Sequence, residues 1–389
     1  MRSALVLISL VLLGCPSSDP DCGPGSAALA PRAGAVSGWD AINGRLVVFG
    51  GDQGAVTDCV PQHAFLNQTL GFDPTCGGFV GVGGDTLPFA RGGAAGATDP
   101  NGQTLYVHGG RHRPSGEGGA YSVFGDLWSL AFGADAWTEL TSSGDPPGRF
   151  DHVVATTAGS VLVHGGNRAT GADVDALDDL WRYDLLTGLW ERLDVPGGPG
   201  ARHGHAAVGL GQTLYVFGGA GPAAGELFAD VWFADLSGAT WTQLHDGAGG
   251  PSRRTGASLL LDEGRNRLLL FGGLDDGLLG HRNDLWAFDL SGRSWSLLAA
   301  GDTPGAGSGS GCDRDASVVV QDLDAPERRA NASAGVSSDG ALTVAGGRTE
   351  CGLIDDVWRW TEAGWSRVVD ASSGQSCARA GGSCDTVCP

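Results

Sequence analysis

The amino-acid sequence predicts an all-β protein made of six consecutive copies of one unit. A short apolar run ends in a pair of glycines six times along the chain, at intervals of roughly 50 residues. Each run has the length of a strand and is too short for a buried helix. An Asp-x-Trp motif follows five of the six runs. A repeat of this length is typical of a β-propeller, in which every copy forms one blade.

The apolar runs with their glycine pairs are the most regular element of each copy. They occupy residues 46–51, 105–110, 161–166, 214–219, 268–273 and 342–347. Glycine adopts backbone conformations that are closed to other residues, so a glycine pair lets the chain leave the strand at this point. Because the pairs end strands and do not open helices, we interpret them as structural and not as nucleotide-binding loops.

Two further motifs flank each run. An arginine stands upstream of every glycine pair, at Arg32, Arg91, Arg149, Arg202, Arg254 and Arg329. The Asp-x-Trp motif stands downstream, at residues 126–128, 179–181, 230–232, 284–286 and 356–358. A second tryptophan follows in each of these copies, at Trp137, Trp190, Trp241, Trp295 and Trp365. The first copy departs from the pattern, because Leu70 and Phe79 stand where the others carry tryptophan.

These in-phase motifs resemble the kelch repeat over residues 31–369. The resemblance implies a six-bladed kelch-type β-propeller with four antiparallel strands, a to d, in each blade. Strand a follows the arginine, strand b ends in the glycine pair, strand c carries Asp-x-Trp and strand d the second tryptophan. Small side chains suit the crowded inner strands, whereas tryptophan fills the wider space between outer strands. The expected blades span residues 31–87, 88–145, 146–198, 199–250, 251–300 and 326–369, each with its own four strands.

The amino-terminal residues predict export. The apolar run from Ala4 to Leu13 is too short to cross a hydrocarbon core of about 30 Å and is typical of a signal peptide. Leu12-Leu13-Gly14-Cys15 resembles a bacterial lipobox, which implies a signal peptide over residues 1–14, lipidation of Cys15 and a tether over residues 15–30. No acidic residue follows directly after Cys15, which favours the outer membrane, on its periplasmic side or at the cell surface. The alternative is cleavage after Ala30 by an ordinary signal peptidase.

Cysteine parity favours lipidation of Cys15, because eight cysteines then remain for disulfide bonds in an oxidising compartment. We predict that Cys59 pairs with Cys76 and that Cys312 pairs with Cys351. The other four are Cys22 and, in the tail over residues 370–389, Cys377, Cys384 and Cys388. They allow three pairings, of which we favour those that join Cys22 to the tail.

Composition and motifs narrow the function classes. The formal net charge of −20 excludes attraction to nucleic acid through bulk charge. The sequence contains no nucleotide loop, zinc-protease, serine-hydrolase or EF-hand motif, so we expect neither catalytic residues nor a cofactor. We predict a monomeric, non-catalytic binding or scaffold propeller, tethered to the membrane by lipid, with a protein or glycan ligand. A carbohydrate-active enzyme similar to the kelch sialic-acid mutarotases and a structural envelope component are the alternatives.

Loop lengths predict the binding surface. In an antiparallel blade, the b-to-c loops and the d-to-a connections leave at one face, and the long insertions at 52–67, 111–125, 167–178 and 299–325 all belong to them. The six repeat arginines stand at the same face, which suggests a ring of guanidiniums that binds an anion. The alternative is that these arginines bond loop carbonyls or the repeat aspartates and build the fold.

Two histidines raise the question of a metal site. His152 and His205 occupy the same position in adjacent copies, beside Asp151 and His203, and imidazole suits zinc or copper. We favour packed, hydrogen-bonded histidines, and therefore predict no metal site. The acidic clusters at 173–179 and 313–324 match no calcium loop and are interpreted as solvated surface.

Lipidation of Cys15 is testable by mass spectrometry of the mature protein. The expected product begins at Cys15 and carries added acyl chains, whereas a Cys15→Ser variant stays unprocessed or leaves the membrane fraction. An unmodified amino terminus between residues 27 and 31 would contradict the prediction.

Overall fold

The computed structural model describes residues 28–54, 56–57, 60–114, 120–141, 146–170, 173–275, 280–304, 318–320, 322–350 and 352–372. Within these ranges, six four-stranded antiparallel sheets follow one another along the chain, and each keeps the strand order a-b-c-d. The predicted six-bladed all-β propeller is therefore confirmed. In these same ranges, no helix is long and apolar enough to cross a membrane.

The first three blades have strands of similar length, which run in the order a to d. Blade 1 contains Val36–Asp40, Arg45–Phe49, Thr69–Asp73 and Gly78–Gly81. Blade 2 contains Ala95–Thr98, Thr104–His108, Leu127–Ala131 and Ala136–Thr141. Blade 3 contains Val153–Thr157, Ser160–Thr170, Asp173–Asp184 and Leu189–Leu193, and its strands b and c are the longest of the three blades.

The last three blades repeat this arrangement. Blade 4 contains Ala206–Leu210, Thr213–Ala220, Leu227–Asp235 and Thr240–His245. Blade 5 contains Ser258–Asp262, Arg267–Phe271, Leu285–Asp289 and Ser294–Ala299, with a short 3-10 helix, Glu263–Arg265, in its a-to-b turn. Blade 6 contains Ser333–Val336, Leu342–Thr349, Gly352–Thr361 and Gly364–Val369.

Small two-stranded sheets decorate the connections beyond the glycine pairs. Three of those described lie between strands b and c: Val56–Thr57 with Val60–Pro61, Arg111–His112 with Ser122–Val123, and Leu274–Asp275 with Gly280–His281. A fourth, Thr303–Pro304 with Val318–Val320, lies in the connection from blade 5 to blade 6. The face at the glycine-pair end of the blades therefore carries these additions.

The blades form a closed ring around the inner strands. Strand a of every blade contacts strand a of the next blade, including the step from blade 6 back to blade 1. One cluster of buried apolar side chains lies in each of the six spaces between neighbouring blades. The core is therefore divided into six inter-blade layers, and each layer needs both neighbours to exclude water.

The second tryptophan of each repeat packs against the preceding blade. Its contact is the residue just before that blade's glycine pair, with ring centroids 4.9–5.6 Å apart. The pairs are Phe49 with Trp137, His108 with Trp190, His164 with Trp241, Phe217 with Trp295, and Phe271 with Trp365. The expected use of tryptophan to fill the space between outer strands follows from this geometry.

The repeat arginine, the glycine pair and Asp-x-Trp meet inside each blade in an assembly that we call the arginine clamp. In blades 2 to 6 the guanidinium donates two hydrogen bonds of 2.5–3.2 Å to the aspartate of Asp-x-Trp. In all six blades its Nη1 also donates to the carbonyl of the first glycine, at 2.8–3.3 Å. The tryptophan Nε1 donates to the same aspartate at 2.6–2.9 Å. One buried cation thus joins strands a, b and c.

The second glycine of each pair connects the clamp to the next blade. Its backbone N–H donates at 2.8–2.9 Å to the carbonyl of the next blade's repeat arginine, and the sixth such bond runs from Gly347 to Arg32. These glycines have φ between 90° and 114°, a range that L side chains rarely adopt. The glycine pair is therefore needed at this position, and the sixth bond closes the ring.

The junction between blades 6 and 1 follows a modified pattern. Among the described residues Arg32 has no aspartate partner; it donates to Gln68 Oε1 at 2.7 Å, and burial lowers the pKa of Arg32 to about 10. Ala345 and Phe79 replace the larger ring before the glycine pair and the tryptophan, and Leu29 packs into the same cluster. The degenerate first repeat therefore coincides with the ring junction.

Cysteine pairing rests on one described residue. Cys76 is disulfide-bonded. Its predicted partner, Cys59, lies outside the described residues, as do Cys15, Cys22, Cys312, Cys351, Cys377, Cys384 and Cys388. The pairings therefore remain predictions.

The clamp predicts a large stability difference between two arginines of blade 3. Arg149→Ala leaves the Asp179 carboxylate without its buried cation, so we expect the free energy of unfolding to fall by about 3–5 kcal/mol. Arg182→Ala breaks the exposed pair with Glu191 and is the matched control, with an expected loss of about 1 kcal/mol or less. Urea unfolding followed by tryptophan fluorescence measures both. Equal losses would contradict a clamp role for Arg149.

Candidate functional site

The largest cavity described lies on the propeller axis, at the end of the inner strands next to the glycine pairs. It has a volume of about 540 Å³ and is lined by residues of all six blades. Its charged and aromatic lining residues are Asp52, His63, Phe65, Arg111, Asp151, His152, His205 and Arg348. We call this opening the channel mouth. The face that carries the long connections is therefore also the face at which the axial cavity has its polar groups.

A ring of backbone hydrogen bonds surrounds the channel mouth. The residue two positions after each repeat arginine has φ of 53–63°, and these residues are Gly34, Gly93, Asp151, Gly204, Gly256 and Asn331. Five of them donate their N–H to the equivalent carbonyl of the preceding blade at 2.8–3.0 Å. Only glycine, asparagine and aspartate adopt this conformation readily. Asp151 and Asn331 are therefore the side chains that this ring can carry.

A second ring is formed by the residue that directly follows each glycine pair. It contains Asp52, Arg111, Asn167, Ala220, Leu274 and Arg348, and each pairs through its backbone with the residue after the repeat arginine of its own blade. The backbone is the same in all six blades, whereas the side chains differ in size and charge. This ring is where the propeller varies the chemistry of the channel mouth.

Arg111 is held in place by aromatic side chains. Its guanidinium carbon lies 4.6 Å from the ring centre of Tyr121 and 4.4 Å from that of Phe150. Among the described residues its guanidinium has no carboxylate within ion-pair distance and makes no hydrogen bond. Stacking between two rings restricts the guanidinium while leaving its N–H edge available to a bidentate acceptor.

Arg348 reaches the same cavity from blade 6. Burial lowers its pKa, and the charge of Asp52 partly opposes this. Within the described ranges, no hydrogen bond or ion pair satisfies its guanidinium. A partly buried cation without an acceptor is costly, so Arg348 adds little to stability and offers donors to a ligand.

Asp52 and Asp151 are the acidic groups of the channel mouth. Asp52 accepts hydrogen bonds from His63 Nδ1 and from the backbone N–H groups of Gly54 and Ala64, so its oxygens are occupied. Burial raises the pKa of Asp151, although Arg111 and His203 oppose the shift. The site therefore holds two unpaired guanidiniums beside one satisfied carboxylate and one whose charge is disfavoured.

An aromatic cluster borders the channel mouth on the side of blades 1 and 2. His63 stacks on Phe65 with ring centroids 5.3 Å apart, and Tyr121 meets Phe65 edge to face at 6.4 Å. Phe89 continues the cluster outward and is 58% exposed. Aromatic side chains of this kind supply rigid contact area for a partner.

Comparison with known proteins agrees with this architecture. The family described as the KLHDC2/KLHL20/DRC7 Kelch-repeats domain matches residues 169–387, more than half of the chain. The chain belongs to the Kelch-repeat family.

Curated relatives of this Kelch chain are longer proteins. Multiple epidermal growth factor-like domains protein 8 of Homo sapiens is 34% identical over 47% of this chain and 6% of its own length. Adagio-like protein 1 of Oryza sativa subsp. japonica is 30% identical over 50% of this chain and 32% of its own. Kelch domain-containing protein 10 of Xenopus tropicalis is 28% identical over 41% and 40%. The chain thus spans well under half the length of these relatives.

The six arginines that the sequence suggested as an anion site lie inside the arginine clamps of this Kelch propeller. Arg32, Arg91, Arg149, Arg202, Arg254 and Arg329 are each at most 1% exposed. Their donors are directed to protein oxygens, so the ring does not face the channel mouth and we do not propose it as a ligand site. The physical reason is that an unpaired guanidinium is too costly at such depth, whereas the repeat aspartate compensates it.

His152 and His205 both line the cavity but do not converge on one point. Each is paired with a histidine of the preceding blade, His152 with His108 and His205 with His164. In the described part of the chain, no group of three or more histidine, cysteine, aspartate or glutamate side chains could hold a metal ion. In the acidic cluster of blade 3, Asp179 belongs to the clamp and Asp175 lies 3.6 Å from Arg168 at the surface.

Sequence reasoning missed Arg111 and Arg348. Both directly follow a glycine pair, at a position where the six repeats carry six side chains of five kinds. That variability, within an otherwise regular repeat, is the signal that could have identified them.

The two classes of arginine should respond in opposite ways to truncation. Arg348→Met removes an unpaired cation, so we expect the melting temperature to stay the same or rise. Arg329→Met, in the same blade, removes a clamp and should lower it. Thermal unfolding followed by circular dichroism compares them. A large loss in the Arg348 variant would show that this residue supports the fold.

Proposed function

We propose that this chain is a non-catalytic Kelch scaffold that binds a protein partner at the channel mouth. The observation that carries the proposal is the pair of guanidiniums, Arg111 and Arg348, that face the axial cavity without an acceptor among the described residues. The rest of the propeller pairs its buried arginines carefully, so two unpaired ones at the same opening are best explained by a ligand. Natural proteins tolerate such destabilising groups at functional sites.

The chemistry of the channel mouth favours a carboxylate on the partner. Planar guanidinium edges match a carboxylate through two parallel hydrogen bonds, and the stacked Arg111 is already oriented for them. The aromatic cluster with Phe65, Tyr121 and Phe89 lies beside the arginines and suits an apolar side chain next to the acidic one. A short peptide segment that presents a carboxylate and an adjacent apolar group fits both features.

The overall charge restricts the surroundings of that carboxylate. The chain has a formal net charge of −20, which repels a strongly acidic partner at long range. Screening limits this repulsion to about 8 Å at physiological ionic strength, so a single acidic residue can still reach the arginines. We therefore expect the carboxylate to lie in a neutral or basic segment.

The leader motif supports the second part of the proposal. With Cys15 lipidated, the acyl chains hold the propeller at a membrane surface without a spanning helix, since each buried CH₂ contributes about 0.8 kcal/mol. We propose that the scaffold works there, in the cell envelope, as a monomer.

The binding test uses a random twelve-residue peptide library displayed on phage, selected against the propeller without its lipid. Wild-type protein should enrich peptides with an acidic residue beside an apolar one. The double variant Arg111→Gln and Arg348→Gln should bind synthetic copies of these peptides at least about tenfold more weakly, because each charge-assisted bond contributes about 1.5–3 kcal/mol.

The matched control is Arg293→Gln, an exposed arginine in a c-to-d turn at the opposite face. It should leave peptide affinity unchanged. A glycan array run in parallel tests the other ligand class. Selected peptides that bind the double variant and the wild type equally, or glycan binding without peptide binding, would overturn the proposal.

A further inference from the structure

Two neighbouring inter-blade contacts use a different pair of residues from the other four. The contact joins the residue before a glycine pair to the residue three positions after the next repeat arginine. Four junctions use apolar residues, namely Phe49 with Ala94, Phe217 with Ala257, Phe271 with Ala332, and Ala345 with Ala35. On the two sides of blade 3 the contacts are His108 with His152 and His164 with His205. We call these two contacts the histidine pairs.

The histidine pairs have nearly the same geometry. His108 Nδ1 lies 3.0 Å from His152 Nε2, and His164 Nδ1 lies 3.1 Å from His205 Nε2. The rings are perpendicular in both pairs, at 89° and 87°. All four side chains are buried, with exposures of 0–6%. Such a contact needs one N–H and one lone pair, so it forms only when at least one ring of the pair is neutral.

The surroundings of the pairs disfavour protonation. Arg149 and Arg91 face His108 against Asp126, and Arg149 also faces His152. Arg202 and Arg149 face His164 against Asp179, and Arg202, His152 and His203 face His205. Trp190 and Trp241 cover His108 and His164 on the outer side. Burial, followed by these guanidiniums, lowers the pKa of His108 and of His164 to about 3.

The fold does not require histidine at these places. Phenylalanine with alanine makes the same contact at three junctions of the same chain, with the same backbone bonds beside it. That apolar solution leaves no polar atom to satisfy. In the histidine pairs, by contrast, the outer nitrogens of all four rings lack a well-aligned hydrogen-bond partner among the described residues. The histidines therefore cost stability and supply a property that the apolar pairs lack.

We propose that the histidine pairs are acid-sensitive joints: acidification loosens blade 3 from blades 2 and 4 and disrupts the wall of the axial cavity that His152 and His205 form. Each joint holds while its rings are neutral and opens when water reaches the rings and protonates them. Because two joints flank one blade, acid acts on a single sector of the ring. The other junctions have no titratable group at the equivalent place.

The sign of the pH effect follows from linkage. The four histidines are neutral in the folded protein, whereas exposed histidine has a pKa of about 6.5. Opened joints therefore take up protons that closed joints do not, and stability falls as the pH drops below about 6.5 towards 3. Carboxylates of the clamps also lose charge in strong acid, so the test is confined to pH 7.5 to 5.5.

The first experiment exchanges the joints within the full chain. The double variants His108→Phe with His152→Ala, and His164→Phe with His205→Ala, copy the apolar solution of the other junctions. Between pH 7.5 and 5.5 we expect the wild-type melting temperature to fall by about 5 °C more than that of the combined quadruple variant. The reciprocal variant, Phe217→His with Ala257→His, should gain acid sensitivity at the junction of blades 4 and 5.

A local measurement separates the joints from a general acid effect. Hydrogen-exchange protection, corrected for intrinsic rates, is compared at both pH values in two inner strands, Val153–Thr157 of blade 3 and Ser258–Asp262 of blade 5. Protection in blade 3 should fall about tenfold more than in blade 5, and the quadruple variant should remove the difference. This comparison needs no ligand, so it is independent of the proposed binding site.

Three outcomes would overturn the proposal. The first is equal acid sensitivity of the wild type and the quadruple variant. The second is equal loss of protection in blades 3 and 5. The third is a wild-type melting temperature at pH 7.5 that rises with added zinc and falls with a chelator, which would assign the histidines to a metal. If the quadruple variant does not fold, the reciprocal variant decides alone, and unchanged acid sensitivity in it counts against the joints.

Discussion

The arginine clamp is the interaction on which the other contacts of the propeller depend. Its guanidinium is almost fully removed from water, so it is tolerable only if every strong donor meets an acceptor. The glycine carbonyl and the aspartate provide these acceptors, and they fix the positions of strands b and c relative to strand a. The second glycine then presents its N–H to the next blade. Blade structure and ring closure are thus consequences of the same buried charge.

The junction of blades 6 and 1 shows how the ring tolerates an incomplete clamp. Gln68 accepts from Arg32 in place of a carboxylate, and smaller side chains at Ala345 and Phe79 leave room that Leu29 fills. The backbone bond from Gly347 to Arg32 is kept. Closure therefore relies on backbone geometry and on apolar packing, which need no charge, while the ion pair is confined to the other five blades.

Function is located where the repeat leaves a residue unconstrained. The side chain after the glycine pair lies beyond the clamp and beside the axis, so its identity affects neither the ion pair nor the inter-blade layers. Arg111 and Arg348 occupy this position and face the cavity. The histidine pairs occupy a different kind of position, inside a layer, where they replace an apolar contact. The two proposals thus rest on separate parts of the blade and can fail independently.

Local patterns in the chain were enough to predict the number of blades, the order of their strands and the face that carries the long connections. Strand-length apolar runs and glycines with positive φ repeat in register, and these properties depend on nothing more distant. Which charges are paired could not be predicted in this way. Arg149 and Asp179 are 30 residues apart, and His108 and His152 belong to different blades, so no local pattern distinguishes a compensated side chain from a free one. An arginine before strand a and an arginine after a glycine pair look equally polar in sequence. Burial places the first in a clamp and leaves the second at the channel mouth, because the direction of each side chain is set by strands that the rest of the chain supplies.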